Sequence, residues 1–261
     1  MPLPLIIAHR GASAEAPENT LPAFQRAIDA GADGVEFDVR LAKDGVPVVI
    51  HDSDLRRVAG RSEKVSDLTS VELAGVDIGS YLNSKHKKKV DTAFAGAGVP
   101  TLRQVVELHG AAKGVIHVEL KIDRQREIRP LVEAVMDVVR ISGVLERVVV
   151  SSFRLAAIAE AKFILPGLRT SALFAPAIMH VIKRRRHMIA LARSFDADGI
   201  SPHRSLATRK LVQLAAEAGM PVTIWTCDDE KWIAKCRRRR VQTLITNDPR
   251  RLILARESAV E

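Results

Sequence analysis

The sequence predicts a (β/α)8 TIM barrel, and three observations lead to that fold class. Short apolar runs of strand length alternate with segments that carry the period of an amphipathic helix along most of the chain. About eight such repeats can be counted, and 261 residues match the length of one barrel of this kind. Alternation of strand and helix is also typical of a parallel sheet covered by helices. A doubly wound open sheet is the alternative architecture.

Nine strands and eight helices are predicted in order along the chain. The predicted strands lie at residues 5–9, 34–39, 46–51, 115–121, 147–151, 169–173, 199–201, 222–226 and 243–246. The predicted helices lie at residues 21–30, 102–110, 128–142, 154–163, 178–194, 207–218, 230–238 and 249–257. A helix therefore follows most of the strands.

Two places break this alternation. Only six residues separate Val39 from Val46, and they include Lys43, Asp44 and Gly45, which form a turn signal. Six residues cannot hold a crossover helix, so the second-to-third strand step is expected to be a hairpin-like distortion of the barrel. Residues 52–100 are polar and have no long periodic helix. We interpret them as a short insertion over the barrel mouth, within a single catalytic domain that spans residues 1–261.

The composition indicates an anionic partner. The formal net charge is +9, and the excess is concentrated in basic runs at residues 85–89, 183–186 and 237–240. No stacking aromatics are interleaved with these runs, which argues against single-stranded nucleic acid as the partner. Solvated surfaces and contact with an anionic membrane remain open. The apolar segment 173–182, which precedes one basic run, is predicted to be a buried helix rather than a membrane contact.

The cysteines and the hydropathy favour a cytoplasmic location. Cys227 and Cys236 do not form a disulfide framework and are predicted to be buried thiols, as in a reducing compartment. Neither a signal peptide nor an apolar stretch of transmembrane length is recognised in the sequence.

Carboxylates are predicted to meet at the barrel mouth, where enzymes of this fold have their sites. Glu36 and Asp38 are two residues apart on a strand, so both point to the same face. Glu119 and Lys121 repeat this spacing on another strand. Unpaired buried charge is costly, and three carboxylates would suit Mg²⁺ or Ca²⁺. Salt bridges of Glu36 with Arg10 and of Glu119 with Lys121 are the alternative.

Two histidines and two cations complete the candidate site. His9 and His51 come at strand ends, where they are placed for acid-base work. Arg10 and Lys121 could hold a phosphate. Together with a metal, these groups suit phosphodiester chemistry, in which one histidine takes a proton and the other gives one. The residues do not decide which histidine has which role.

Seven stretches carry a resemblance to a known family. They are "AHRGASAEAPENTLPAF", "GADGVEFDVRLAKDGVPVVIHD", "VPTL" at 99–102, "HVELK", "SSF" at 151–153, "IWT" at 224–226 and "ITNDP" at 245–249. With them the chain resembles the glycerophosphodiester phosphodiesterase family from Ile6 to Pro249. The resemblance implies a barrel, a divalent metal ion (Mg²⁺ or Ca²⁺), and hydrolysis of glycerophosphodiesters to sn-glycerol 3-phosphate and an alcohol.

The resemblance also implies residue roles, position by position. The metal ligands would be Glu36, Asp38 and Glu119, and the acid-base pair His9 and His51. Substrate would be bound by Arg10 and Lys121 near the phosphate and by Trp225 along the glycerol or alcohol part. Glu18 would support the site through hydrogen bonds, and Asn19 or Thr20 would cap the first helix. The chain departs from the family at Ala42, His117 and Asn247, where Thr, Asn and Asp are frequent. The last two are expected to change pocket polarity or substrate choice.

Two rival functions stay open at this point. A barrel of the same type could act on lysophospholipids, as a lysophospholipase D, or on phosphoinositides, with the run 183–186 docked on an anionic membrane. A non-catalytic nucleic-acid-binding barrel is the other rival, and the complete set of two histidines and three carboxylates argues against it. The oligomeric state is left open.

Overall fold

A computed structural model describes residues 3–80, 92–110, 112–182 and 184–258, and it forms a (β/α)8 barrel as predicted. The strands are β1 (Leu5–His9), β2 (Gly34–Leu41), β3 (Pro47–Val49), β4 (Val115–Leu120), β5 (Val148–Ser152), β6 (Arg169–Phe174), β7 (Gly199–Pro202), β8 (Thr223–Ile224) and β9 (Thr243–Thr246). The strand order is β7-β6-β5-β4-β2-β1-β9-β8, with parallel pairing throughout this path. Isolated parallel bridges join Ile200 to Val222 and His203 to Trp225, so the two end strands nearly close the barrel.

The described α-helices lie mostly between consecutive strands. They are α1 (Leu21–Asp29), α2 (Arg56–Ala59), α3 (Ser70–Ala74), α4 (Leu102–Leu108), α5 (Ile128–Ile141), α6 (Leu155–Ile164), α7 (Arg186–Arg193), α8 (Arg209–Glu217), α9 (Lys231–Arg239) and α10 (Pro249–Ser258). None of them is long and apolar enough to cross a membrane.

Alternation along β2 separates the core from the site. Val35, Phe37 and Val39 are buried in the main apolar cluster, beside residues of α1, α4 and α5. Glu36 and Asp38, which alternate with them, point into the barrel instead, as a period of two requires. The helices thus shield one face of the strand, and the carboxylates occupy the other.

The predicted hairpin at the second-to-third step is present. Strand β3 pairs antiparallel with β2, Val39 opposite Val49, and it lies outside the eight-strand path. The predicted strand at residues 46–51, which brought the predicted number to nine, is therefore a hairpin arm and not part of the barrel wall. An apolar cluster continues from this hairpin into the following segment, and it includes Val48, Ile50, Leu55, Leu73 and Val99. That residues 52–100 as a whole form an insertion over the mouth, within one domain, stays a prediction.

The prediction of one long helix over residues 178–194 is wrong. A 3-10 turn covers Pro176–His180, and the α-helix begins only at Arg186. The segment 173–182 is not a buried helix either, because Leu173 and Phe174 end β6 and Val181 is 77% exposed. The apolar run is too short to continue the strand and also build a helix, and the basic residues after it supply no apolar face. Lys183 and the whole basic run 85–89 lie outside the described residues.

Both cysteines are buried and free, as predicted. Burial raises the pKa of the Cys236 thiol to about 12 and also raises that of Cys227. Both thiols therefore pack as small apolar groups in the cluster around β7, β8 and β9.

Candidate active site

A cavity of about 340 Å³ opens at the carboxyl ends of the strands. Except for Asp38 and Glu18, every residue predicted for the site lines it. Those residues are His9, Arg10, Glu36, His51, Glu119, Lys121 and Trp225. Asp38 and Glu18 touch Arg10 from behind, at 3.0 and 2.7 Å. The barrel therefore brings the predicted residues together, although the chain separates His9 from Trp225 by most of its length.

Three buried carboxylates form one cluster in this cavity. Glu36, Asp38 and Glu119 each offer an oxygen, and these oxygens lie within 4.8 Å of one another. The register places Asp38 of β2 opposite Glu119 of β4, and Glu36 precedes Asp38 on the same face. The three residues are 5%, 1% and 8% exposed, so water screens their repulsion poorly.

The carboxylates differ in how their charge is compensated. Lys121 Nζ lies 3.1 Å from Asp38 Oδ1 and 2.6 Å from Glu119 Oε1. Burial opposes ionisation of Asp38, but the nearby charges of Arg10 and Lys121 prevail and lower its pKa. Burial and the charges of Asp38 and Glu119 raise the pKa of Glu36 well above its ordinary value. The pKa of Glu119 is raised as well, by burial and by Asp38.

This donor set fits a hard divalent cation. Arg10 and Lys121 pair with Asp38 and Glu119, whereas no described arginine or lysine lies within 4.0 Å of the carboxylate of Glu36. Glu36 Oε2 is buried and has no hydrogen-bond partner among the residues that the structure describes. Oxygen ligands alone are what Mg²⁺ and Ca²⁺ prefer. Of the alternative salt bridges, Glu119–Lys121 is formed, whereas Arg10 pairs with Asp38 and Glu18 instead of Glu36.

His9 is held by an amide. Its Nδ1 lies 2.7 Å from Asn247 Oδ1, and Asp228 fixes Asn247 by accepting from its backbone N–H and side-chain Nδ2. Burial and the charge of Arg10 lower the pKa of His9 to about 4. An amide oxygen can only accept, so the proton of neutral His9 sits on Nδ1 and the lone pair on Nε2. Asn247, at a position where the family frequently has Asp, thus contacts the predicted catalytic residue His9 directly.

His51 is held by a carboxylate. Its Nδ1 lies 2.6 Å from Asp52 Oδ1, and Arg57 Nε donates to the other Asp52 oxygen at 2.6 Å. Arg57 also donates to both oxygens of Glu18, at 2.8 and 2.7 Å. Glu18 in turn accepts from Arg10 at 2.7 Å. A chain of alternating charges therefore links His51 to Arg10.

The sequence reasoning missed three residues of this network. Asp52 and Arg57 support His51, and Asn19 Nδ2 donates to Asp38 Oδ2 at 3.0 Å. The sequence predicts Asn19 or Thr20 as the cap of the first helix, and Thr20 is the cap, since its side chain accepts from the Ala23 N–H. Asp52 directly follows His51, which is a signal that could have been used. Arg57 has no such signal, because its reach depends on the direction of the short helix α2.

A strained turn positions Arg10. Its φ is 57°, and Gly11 follows with a φ of 80°. A Cβ at Gly11 would lie 2.6 Å from the carbonyl carbon of Ala23, so the turn packs tightly on α1. Left-handed backbone at a residue other than glycine is uncommon and is found at functional sites. The turn aims the guanidinium of Arg10 at Asp38 and the cavity.

Aromatic rings form the opposite wall. Trp225 Nε1 donates to the Ser201 carbonyl at 2.8 Å, which fixes its ring. The edges of Phe153 and His203 meet this ring, with centroids 5.7 and 5.1 Å away. Phe153 is 43% exposed and lies beside Lys121, whose Nζ is 5.9 Å from the ring centroid. The cavity therefore has one charged wall and one aromatic wall.

Known proteins resemble the chain over nearly its whole length. A model of the Glycerophosphoryl diester phosphodiesterase family matches residues 9–251. The glycerophosphodiester phosphodiesterase of Caldanaerobacter subterraneus subsp. tengcongensis is 32% identical over 250 residues, which cover 95% of this chain and 96% of that one. A crystal structure from Silicibacter pomeroyi has a TM-score of 0.87 and 26% identity, and covers 100% of this chain and 95% of that one. The structure of an Oleispira antarctica phosphodiesterase, solved in complex with the product sn-glycerol-3-phosphate, has a TM-score of 0.83 and 25% identity. It covers 98% of this chain and 97% of that one.

Proposed function

Since this chain belongs to the glycerophosphoryl diester phosphodiesterase family, we propose that it hydrolyses glycerophosphodiesters to sn-glycerol 3-phosphate and an alcohol. The observation that carries the proposal is one cavity lined by two histidines, two cations and the carboxylates Glu36 and Glu119, which form one buried cluster with Asp38. A metal-binding acid cluster beside two proton carriers suits the cleavage of a phosphodiester. The sn-glycerol-3-phosphate bound to the Oleispira antarctica relative supports the identity of the product.

Arg10 and Lys121 bind the phosphate in this proposal. Both side chains line the cavity, and their carboxylate partners hold them in place. The planar fork of Arg10 suits two non-bridging oxygens, whereas Lys121 acts as a point charge. Glu36, Asp38 and Glu119 would hold a divalent cation, which neutralises phosphate charge when bound.

The two histidines move the protons. His9 Nε2 carries the lone pair, so His9 takes the proton of the attacking hydroxyl. His51 gives a proton to the leaving alkoxide, because Asp52 occupies its Nδ1 and leaves Nε2 free to donate. The attacking group is water or the 2-hydroxyl of the glycerol part, which would give a cyclic phosphate first. Trp225 supports the glycerol or the alcohol part as a fixed apolar surface.

A panel of glycerophosphodiesters tests the function. The purified chain is incubated with glycerophosphocholine, glycerophosphoethanolamine, glycerophosphoglycerol and glycerophosphoinositol, with Mg²⁺ or Ca²⁺ present, and released sn-glycerol 3-phosphate is measured. Release from at least one diester is expected, and the His9→Ala variant purified in parallel should lack it. No release from any diester with either metal would contradict the proposal.

A membrane-bound substrate is the second candidate. Val181 is 77% exposed, and Arg184 and Arg186, which follow it closely in the chain, are exposed as well, so apolar and cationic side chains could reach one bilayer surface. Such a combination of side chains suits an anionic bilayer, from which a lysophospholipid would be drawn. Co-sedimentation with phosphatidylserine vesicles, lost at high salt and in the Arg184→Glu/Arg186→Glu variant, would favour this candidate. Equal recovery from neutral and anionic vesicles would contradict it.

A cytoplasmic location belongs to the same proposal. The free, buried thiols Cys227 and Cys236 are compatible with a reducing compartment. Cell fractionation tests the location, which recovery of the protein outside the cytoplasmic fraction would contradict.

A further inference from the structure

A second cavity with a hydrocarbon lining adjoins the catalytic cavity. This second cavity has a volume of about 380 Å³, and Phe153 and Leu173 line both cavities. Its other apolar lining residues include Leu155, Ile178, Leu191 and Phe195. Resting on the diesterase function proposed above, we propose that this apolar cavity binds an alkyl chain of the leaving alcohol. The enzyme would then prefer diesters whose alcohol carries such a chain.

Phe153 marks the change from charged to apolar surroundings. On the catalytic side Lys121 Nζ lies 5.9 Å from its ring centroid, and the Trp225 ring meets it edge to face at 5.7 Å. On the other side the same residue borders the apolar cavity. A phosphate between Arg10 and Lys121 would therefore have its alcohol oxygen next to Phe153, and a chain on that oxygen could follow the ring into the second cavity.

The polar groups at the second cavity do not form an anion site. Among the described residues that line it, only Gln125 and Arg154 have polar side chains. Arg154 Nη2 donates to the Asp123 carbonyl at 3.1 Å, and its Nε to the Ile122 carbonyl at 3.4 Å. The guanidinium is therefore bound to the loop after β4. What the cavity offers a ligand is apolar surface, whose removal from water favours binding.

A third cavity, also about 380 Å³, offers the opposite chemistry. It is lined by Arg40, Lys43, Asp123, Arg126 and Glu127 and shares Lys121 with the catalytic cavity. A polyhydroxy or charged alcohol would fit there. Arg40, however, already donates to the His51 carbonyl at 2.8 Å and to Asp123 at 2.9 Å. The apolar cavity is favoured because two side chains join it to the catalytic wall and one of them, Phe153, is 43% exposed.

Two synthetic diesters that differ only in chain length test the inference. The kcat/KM of the wild type is compared for sn-glycero-3-phospho-octanol and sn-glycero-3-phosphoethanol, both in monomeric solution. The octyl diester should be at least tenfold better. Ala156→Trp, in the first turn of α6, fills the cavity and should bring this ratio close to one. Ala159→Trp adds the same side chain on α6 outside the cavity and should keep the wild-type ratio.

The ratio of kcat/KM for the octyl diester to that for the ethyl diester can also contradict the inference. A wild-type ratio near one, or an unchanged ratio in Ala156→Trp, would overturn it, as would a preference for glycerophosphoinositol over the octyl diester. Ile178→Asn makes the half-buried wall polar and replaces Ala156→Trp if that variant does not fold. If no diester is cleaved, the proposed function fails. Calorimetric measurement of sn-glycero-3-phospho-octanol binding then tests whether the apolar cavity binds the alkyl chain. Binding at least tenfold weaker in Ala156→Trp supports the cavity, and equal or undetectable binding contradicts it.

Discussion

His51 reaches the cavity with one ring nitrogen, while the other is held by a carboxylate. Asp52 accepts at 2.6 Å from Nδ1, so the Nε2 of a protonated His51 is free to donate to a leaving alkoxide. His9 is held by the amide of Asn247 instead, which favours a neutral ring. Two histidines in one cavity thus have different partners, and the proposed roles, His9 as base and His51 as acid, rest on this difference.

Removal of the His51 side chain should lower kcat strongly only for substrates with a poor leaving group. We expect His51→Ala to lower kcat on glycerophosphocholine by about 10²–10⁴-fold, the range of general acid catalysis. The loss should be within about tenfold on sn-glycero-3-phospho-p-nitrophenol, since p-nitrophenolate leaves without a proton. His9→Ala is the control and should slow both substrates alike. Equal losses on both substrates in His51→Ala would contradict its role as the acid.

The buried histidine His109 links stability to pH. Burial and then the charge of Arg147 lower its pKa from 6.5 to about 4, and its ring packs edge to face against Phe24. In the unfolded chain His109 binds a proton below pH 6.5, whereas in the folded chain it binds one only near pH 4. Stability from this residue is therefore complete above pH 6.5 and is lost as the pH falls toward 4.

His109→Phe keeps the aromatic contact and removes this titration. Urea unfolding at pH 7 and pH 5 should show that the wild type loses about 2 kcal/mol more than the variant between the two. His9 and His117 titrate in both proteins and cancel in the comparison. The same loss in wild type and variant would show that His109 is not the group responsible.

At the scale of elements, the short helix α2 supports the site from outside the barrel. Its Arg57 side chain donates hydrogen bonds to both Asp52 and Glu18. Asp52 is the partner of His51 and Glu18 is the partner of Arg10, so Arg57 connects the two. The pKa of Glu18 is lowered because its hydrogen bonds from Arg57 outweigh burial, so both carboxylates remain charged partners. A four-residue helix is thereby linked by hydrogen bonds to the candidate site residues His51 and Arg10.

Arg57→Ala should reduce kcat by about tenfold or more with little change in KM. The reason is that Asp52 and Glu18 both lose the guanidinium that they share. Arg57→Lys, which keeps one donor, should restore part of kcat, a result that a merely structural role would not give. Arg56→Ala is the matched control, since Arg56 is the preceding residue and its side chain is 70% exposed. If Arg56→Ala and Arg57→Ala have the same kcat, the coupling is refuted.

The turn between β1 and α1 depends on Gly11. Gly11→Ala should lower the free energy of unfolding by more than about 2 kcal/mol, because strain at φ 80° adds to a clash with Ala23. Gly45→Ala has nearly the same φ of 78° but no atom within 4 Å of the added Cβ, so about 1 kcal/mol is expected. Denaturant unfolding of both variants gives the comparison. Equal losses would show that the packing against α1 contributes nothing.

At the scale of the whole molecule, the barrel and most of the site could be predicted from local patterns. Strand alternation placed Glu36 and Asp38 on one face, and the barrel rule placed His9 and His51 at one mouth. What stayed hidden depends on contacts between distant segments. Asn247 meets His9 only because β9 pairs with β1, and Arg57 depends on the direction of α2. The alternative pairing of Glu36 with Arg10 is not formed, because Arg10 has nearer partners in Asp38 and Glu18.

We propose that the carboxylate cluster and the two histidines act as one metal-dependent phosphodiesterase site. The most direct measurement is release of sn-glycerol 3-phosphate from glycerophosphocholine by the chain treated with EDTA, before and after Mg²⁺ or Ca²⁺ is added in excess. We predict no release in EDTA, recovery with at least one metal, and no recovery at the same metal concentration in Glu119→Gln. Full release in EDTA, or full recovery in Glu119→Gln, would contradict the claim.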